Sequence, residues 1–261
     1  MPISCPISLP RLSSVEFGEL DYEIMKYAFA CHKELGCLAD ETIYQADFAA
    51  RLSSAGYDVQ REVPVTVTFR NFLKEYYLDI VVNGKAIYEH KTVSKLNALH
   101  EAQVMNYLLL TDCGHGKVVN FRTASVDSRF VNAPLKLEER RDFTVDSRRW
   151  RGGETTRDWM IAMLRDWGTA LELSLYYQAM IHLLGGEDAV TKQIPMQRGG
   201  ISLGNQRFHL MAPDAAFRIT AFKEIATELE PQFKLLLKPS RLKAIHWINI
   251  GFHEITFTTI S

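Results

Sequence analysis

The chain has 261 residues, 47% of them hydrophobic, with 30 basic and 31 acidic side chains and a formal net charge of −1. That length supports one large domain or two small ones, and 23% charged residues exclude a globally disordered chain. The balanced charge brings no general attraction to nucleic acid or anionic membrane, although a local groove can be basic on a neutral protein.

The opening MPISCPISLPRLSS has no basic stretch followed by an apolar one, so no signal peptide is expected, and its prolines and serines read as a loose leader to about residue 15. Residues 20–35 place Ile24, Tyr27, Ala28, Cys31 and Leu35 at helical spacing. A second helix follows, with Asp40 as its cap, Ile43, Phe48 and Leu52 inward, and Gly56 as its stop. Three strands are predicted next, over 57–69, 75–82 and 85–93, the last two joined by the hairpin turn Asn83-Gly84. A helix over 98–111 carries Leu99, Val104, Tyr107 and Leu108 on related faces, and 116–121 and 128–131 read as further strands. Residues 137–158 are dense in charge and read as a linker, with Arg140, Arg141, Arg148, Arg149 and Arg151 solvated; a phosphate-contacting stripe is the alternative. Beyond it come one or two helices over 159–186, strands near 190–196, 205–211 and 215–221, a helix over 227–238 interrupted by Pro231, and two closing strands. No run of about 18 apolar residues occurs, so no membrane span is expected. Cys5, Cys31, Cys37 and Cys113 form no C-x-x-C pair, which fits reduced thiols in a cytoplasmic protein.

The two halves resemble each other. VQREVPV (59–65) aligns with VTKQIPM (190–196), and YQA occurs at 44–46 and 177–179. Glu101 and Glu230, Gln103 and Gln232, and Asn120 and Asn249 are each 129 positions apart. A shared offset over a helix and a strand points to internal duplication. At that offset Glu89 meets Arg218, Lys91 meets Thr220 and Tyr107 meets Leu236, while Asp79 falls at Phe208 or His209. The second half has lost the charges of the first.

Those charges are the chemical signal. Asp79 and Glu89 lie on consecutive strands that are otherwise apolar, and Lys91 shares a face with Glu89. With residues 82 and 85 paired across the turn, Asp79 sits opposite Tyr88, and a bulge or twist brings the two carboxylates together. Adjacent carboxylates in an apolar sheet repel each other and resist burial. A divalent cation such as Mg²⁺ or Mn²⁺, held by Asp79 and Glu89, relieves both costs. The plainer alternative is a surface ion pair of Glu89 with Lys91.

The spacing D-x(9)-E-x-K resembles the PD-(D/E)xK nuclease superfamily, and Gln103-Val-Met-Asn-Tyr107 resembles the Q-x-x-x-Y motif of its RecB-like members. Residues 20 to about 130 are similar to the GxxExxY family, whose motif falls on Leu38-Ala-Asp-Glu41-Thr-Ile-Tyr44 with leucine in place of glycine. The resemblance implies a restriction-endonuclease-like α/β core, a mixed sheet flanked by helices, over 16–135. A linker over 136–158 and a degenerate second copy or accessory α/β domain over 159–261 would follow. It implies a nuclease dependent on Mg²⁺ or Mn²⁺, with DNA the favoured substrate and RNA the alternative. Asp79 and Glu89 would hold metal, Lys91 would assist attack, Gln103 and Tyr107 would position the site, and Glu41 would be an additional acid. A homodimer would supply two sites for a double-strand cut. The competing expectations are a non-catalytic nucleic-acid- or protein-binding module, and an accessory subunit active only with a partner.

Overall fold

The computed structural model describes residues 2–222 and 229–261. The chain divides into two compact units, one comprising residues up to Thr68 with Leu73–Leu137, the other Phe69–Phe72 with Glu138–Ser261. Each is built on a six-stranded mixed sheet with flanking helices.

In the first unit the elements are β1 (Ile3–Ser4), α1 (Ser14–Leu35), α2 (Glu41–Ser54), β2 (Val59–Phe69), β3 (Phe72–Val82), β4 (Ala86–Lys91), α3 (Ala98–Thr111), β5 (His115–Asn120) and β6 (Asp127–Asn132). The strands lie in the order β1-β2-β3-β4-β5-β6. The pair β4–β5 is parallel, and α3 provides the crossover that parallel neighbours need. The α1–α2 hairpin covers one face of the sheet. Ile24, Ala28, Cys31, Tyr44, Phe48 and Leu52 pack there against Ile80, Val82 and Tyr88. α3 covers the other face, with Val104 and Leu108 fully buried.

The leader is not loose. Ile3–Ser4 pairs antiparallel with β2, Arg11 forms an ion pair with Asp112 at 3.0 Å, and Ser13 caps α1 in a reciprocal box with Glu16. In α2, Asp40 holds the cap position without a side-chain cap bond, and Ile43 is half exposed where an inward position is expected. Leu99 at the start of α3 is exposed as well.

The second unit holds α4 (Leu137–Arg141), which begins at the boundary, then β7 (Thr144–Arg149), α5 (Glu154–Trp167), α6 (Leu173–Leu183), α7 (Glu187–Val190), β8 (Thr191–Arg198), β9 (Ile201–Ala212), β10 (Ala215–Thr220), α8 (Leu229–Leu237), β11 (Ala244–Ile250) and β12 (Glu254–Ile260). Its sheet order is β7-β12-β11-β10-β9-β8. The stretch expected as a linker is therefore folded. β7 pairs parallel with β12 at the sheet edge, and Arg140 is buried, donating to the carbonyls of Trp167 and Thr169 at 3.2 and 2.8 Å. Gly168 permits this, because a Cβ there would lie 2.8 Å from the Arg140 guanidinium. Arg141 donates to the Asp166 carbonyl, whereas Arg148, Arg149 and Arg151 are exposed, as expected, while meeting Asp146, Glu230 and the carbonyls of Arg148 and Trp150 respectively. Of the helix expected over 227–238, Thr227 and Glu228 lie outside the described residues. Pro231 does not interrupt α8, because it stands in the first turn, where an amide proton has no intrahelical acceptor.

The two sheets share one register scheme. Ile87↔Gly116 and Lys91↔Asn120 in β4–β5 are matched by Ala216↔Ile245 and Thr220↔Asn249 in β10–β11, 129 residues on. Val118↔Arg129 in β5–β6 is likewise matched by Trp247↔Thr258 in β11–β12.

Candidate active site

β4, with the sequence AIYEHK, is covered on both faces, and every residue but its last is buried. A charge there costs more than on a half-solvated strand. Glu89 nonetheless lies in its middle, 1% exposed. The turn that precedes it differs from the expected two-residue hairpin. Val82 pairs with Ala86, leaving a three-residue loop in which Asn83 and Gly84 take left-handed φ angles of 52° and 58°. This extra residue moves the register by one. Ile80 pairs with Tyr88, and the next step sets Asp79 across from Glu89 rather than from Tyr88. Directly opposed residues share a face, so the two carboxylates come together without a bulge.

Each carboxylate is held from several sides. Asp79 Oδ2 accepts the His90 amide at 2.8 Å, and Gln45 donates to the same carboxylate. Glu89 Oε1 accepts from Lys91 Nζ at 2.6 Å and from Gln103 Nε2 at 2.7 Å. Glu89 Oε2 is buried with no hydrogen-bond partner. Burial, and then the charge of Asp79, pushes the Glu89 carboxyl up to about 8. Burial also raises Asp79, against the His90 amide and Lys91. Lys91 is raised above its ordinary value because the neighbouring carboxylates, Glu89 first, outweigh its own burial. The cluster thus holds two carboxylates against one ammonium, in a place where an unbalanced charge is expensive.

α3 reaches the cluster through Gln103 and Tyr107, one turn apart. The Gln103 amide bridges Glu89 and the Tyr107 hydroxyl, which accepts from it at 2.9 Å. Close approach of α3 depends on Gly116 of β5. A Cβ there would lie 3.1 Å from Leu108 and from Val104. The start of α3 is fixed by Asn97, which accepts from the amides of Leu99 and His100, while His100 Nδ1 accepts the Asn97 amide. His100 is thereby a helix-start residue.

Glu41, in the first turn of α2, accepts the Thr92 amide at 3.0 Å just past β4. Its charge acts on Asp79, Glu89 and Lys91. Two residues that the sequence does not single out support this edge of the site. Gln45 is one helical turn beyond Glu41, a spacing that could have flagged it. Arg122 donates to the carbonyls of Cys37, Ala39 and Thr92, tying the α1–α2 loop to the end of β4. Nothing local in the sequence marks Arg122, since all three acceptors are backbone groups distant along the chain. His90 points away from the cluster and packs edge-on against Phe48 and Phe121; burial lowers it to about 3, so the ring is neutral. Arg61 is exposed on β2.

Residues 18–131 match the family model of the PD-(D/E)XK nuclease superfamily. The match spans the chain from α1 through most of β6 and takes in every residue of the cluster. It supports that superfamily for this segment, whose members are generally nucleases that use divalent metals. No curated protein and no solved structure matches the chain significantly. Among the described residues no helix is long and apolar enough to cross a membrane. No group of three or more His, Cys, Asp or Glu side chains among them is arranged to hold a metal. The donor set still fits a hard cation such as Mg²⁺, which is commonly held by one or two carboxylates, with water and substrate phosphate completing the shell. The buried, unpartnered Oε2 of Glu89 is the observation that favours this fit.

Proposed function

We propose that the first unit is a divalent-metal-dependent nuclease that hydrolyses phosphodiester bonds, with DNA preferred over RNA. The observation that carries this reading is a buried Glu89 beside a partly buried Asp79, with one oxygen of Glu89 left without a partner. Asp79 and Glu89 would hold Mg²⁺ or Mn²⁺. When bound, such an ion polarises a phosphodiester oxygen and lowers the pKa of water. The chain's own residues do the rest. Lys91, 15% exposed and charged, stabilises negative charge developing on the phosphate. Gln103 and Lys91 fix the orientation of Glu89, the His90 amide and Gln45 fix Asp79, and Tyr107 fixes Gln103. Glu41 adds negative charge at the cluster's edge.

We further infer that the second unit is a degenerate copy of the first. The common offset in the strand registers supports this, as does one substitution of roles. Asp79 accepts the His90 amide in the first unit, and the Tyr177 hydroxyl accepts the amide of Ile219, 129 residues on from His90, at 2.7 Å. The GxxExxY resemblance belongs with this reading: Tyr44 donates to the Gly36 carbonyl at 2.6 Å and Tyr176 donates to the Gly168 carbonyl. A chain with one carboxylate pair would need to dimerise to cut both strands.

The test is cleavage of single- and double-stranded DNA and RNA with Mg²⁺, Mn²⁺ or EDTA, comparing wild type with Glu89→Ala and Lys91→Ala. Metal-dependent cutting that both variants lose supports the proposal. A folded wild type that cuts nothing rejects a stand-alone nuclease and favours a binding module or a partner-dependent subunit.

A further inference from the structure

The second unit carries a cavity at the place that the carboxylate pair occupies in the first. On β10, Phe217 pairs with His209 of β9. The next step sets Arg218 across from Phe208, as Glu89 stands across from Asp79. The exchange replaces an anion with a cation and a carboxylate with an aromatic ring. Around these two residues lies a cavity of about 180 Å³, also lined by Phe233 and Leu236 of α8 and by Gln206 and Arg207 of β9. In the first unit Gly116 lets α3 pack down onto the sheet. Ile245 stands at the corresponding position and lines this cavity.

The lining is apolar and aromatic at the base and cationic at the mouth. Phe208 and Phe233 are nearly buried, while Arg218 and Arg207 are exposed. Among the described residues no carboxylate lines the cavity. Arg207 is paired with Glu187, an exposed pair of little strength. Among the described residues no carboxylate pairs with Arg218. Its guanidinium reaches the Tyr177 hydroxyl, and its charge is felt at His209.

We propose that this cavity binds one nucleotide of a single-stranded nucleic acid without cutting it, Arg218 pairing with the phosphate and the base resting on Phe208 and Phe233. The inference rests on nucleic acid being the substrate of the first unit. Aromatic platforms beside arginines are the usual means of holding single strands regardless of sequence, and a guanidinium can grip a phosphate with two parallel hydrogen bonds. At 180 Å³ the cavity is smaller than the roughly 300 Å³ at which pockets for whole small ligands begin, which fits one base and not a folded cofactor. With Phe208 and Arg218 in place of two carboxylates, the described residues of the cavity offer no pair of hard oxygens to a divalent ion.

The test uses the full chain and fluorescein-labelled single-stranded DNA, followed by anisotropy in EDTA so that nothing is cut. Arg218→Glu should weaken binding about tenfold and flatten the salt dependence by about one phosphate contact. Arg218→Gln should fall between that variant and wild type. Both should melt with wild type, since Arg218 is exposed. Binding by Arg218→Glu within about twofold of wild type, with the same salt slope, overturns the proposal; so does a wild type that binds no oligonucleotide. Cleavage by the same proteins in Mg²⁺ separates the two readings. If wild type cuts and Arg218→Glu binds normally, this inference fails and the nuclease stands. If wild type cuts nothing while Arg218→Glu has lost affinity, the nuclease reading fails and the binding cavity stands.

Discussion

Replacing Glu89 with glutamine tests the metal site without any need for catalysis. Without metal, the Glu89 carboxyl is pushed up to about 8 from an ordinary 4.5. Across that window the folded chain keeps a proton that the unfolded chain has released, so stability is greatest below pH 4.5 and falls as pH rises to 8. At about 1.4 kcal/mol per unit, the loss between pH 5 and pH 7.5 is on the order of 2–3 kcal/mol. Glutamine carries no charge and lacks this dependence, while its amide keeps a similar shape. In EDTA the two proteins should melt together at pH 5. At pH 7.5 the variant should melt higher by roughly 4–12 °C, taking about 2–4 °C per kcal/mol for a protein of this size. Added Mg²⁺ should raise the wild type and leave Glu89→Gln where it is, because an ion that binds only the folded state stabilises it by mass action. A variant that melts below wild type by the same margin at both pH values would refute the reasoning. It would mean that Lys91 and Gln103 already satisfy the Glu89 charge and that no ion is needed.

Other substitutions probe the supports of the site. Gln103→Ala removes the amide that bridges Glu89 and Tyr107, and Mg²⁺ affinity by calorimetry should fall about 10- to 100-fold with the fold intact. Gly116→Val would press against Val104 and Leu108 and lift α3; urea unfolding should show a loss of about 1–3 kcal/mol, and cleavage should fall with it. Lys117→Met strands Asp21, with which Lys117 pairs at 2.5 Å while both are about 6% exposed, and should cost about 3–5 kcal/mol in urea unfolding. The double change Asp21→Asn with Lys117→Met should recover most of that loss, since no unpaired charge remains.

Much of the first unit was legible in the sequence because its signals are local. The helix over 98–111 matches α3 at both ends, since Asn97 caps it and its apolar spacing is regular. Ser13 and Glu16 formed a legible capping box, yet the surrounding prolines suggested a leader. Other features depended on partners distant along the chain. Arg140 looked solvated because its acceptors are carbonyls of residues 167 and 169. β7 was missed because an edge strand needs no apolar alternation, and TVDSRR has little. The offset of 129 held across the strands, but YQA paired Tyr44 with Tyr177. The hydroxyl that reaches a glycine carbonyl eight residues back, as Tyr44 does, belongs to Tyr176. Asp79 and Glu89 were legible as charges in apolar runs, but their exact opposition was not. It turns on one residue in the loop, which depends on the left-handed conformations of Asn83 and Gly84.

A buried ion pair alone is weak grounds for a functional site, and the first unit contains an internal control. Asp21 and Lys117 lie buried on the face of the sheet covered by α1 and α2, deeper than Asp79 and Lys91 and nearly as deep as Glu89 under α3. There the accounts close: Lys117 donates to Asp21 Oδ2, the Tyr88 hydroxyl donates to Oδ1, and the ammonium lies 4.0 Å from the centre of the Phe130 ring. One anion meets one cation and each carboxylate oxygen has a donor, which is what a structural pair requires. Across β4 the same strand carries Glu89, where two carboxylates share one ammonium and an oxygen without a donor is sealed from water. Each place sets a buried acid against a lysine, so a buried ion pair by itself does not explain the difference. What differs is a deficit of positive charge and of one donor, and that deficit has the sign and the location that a divalent cation would fill.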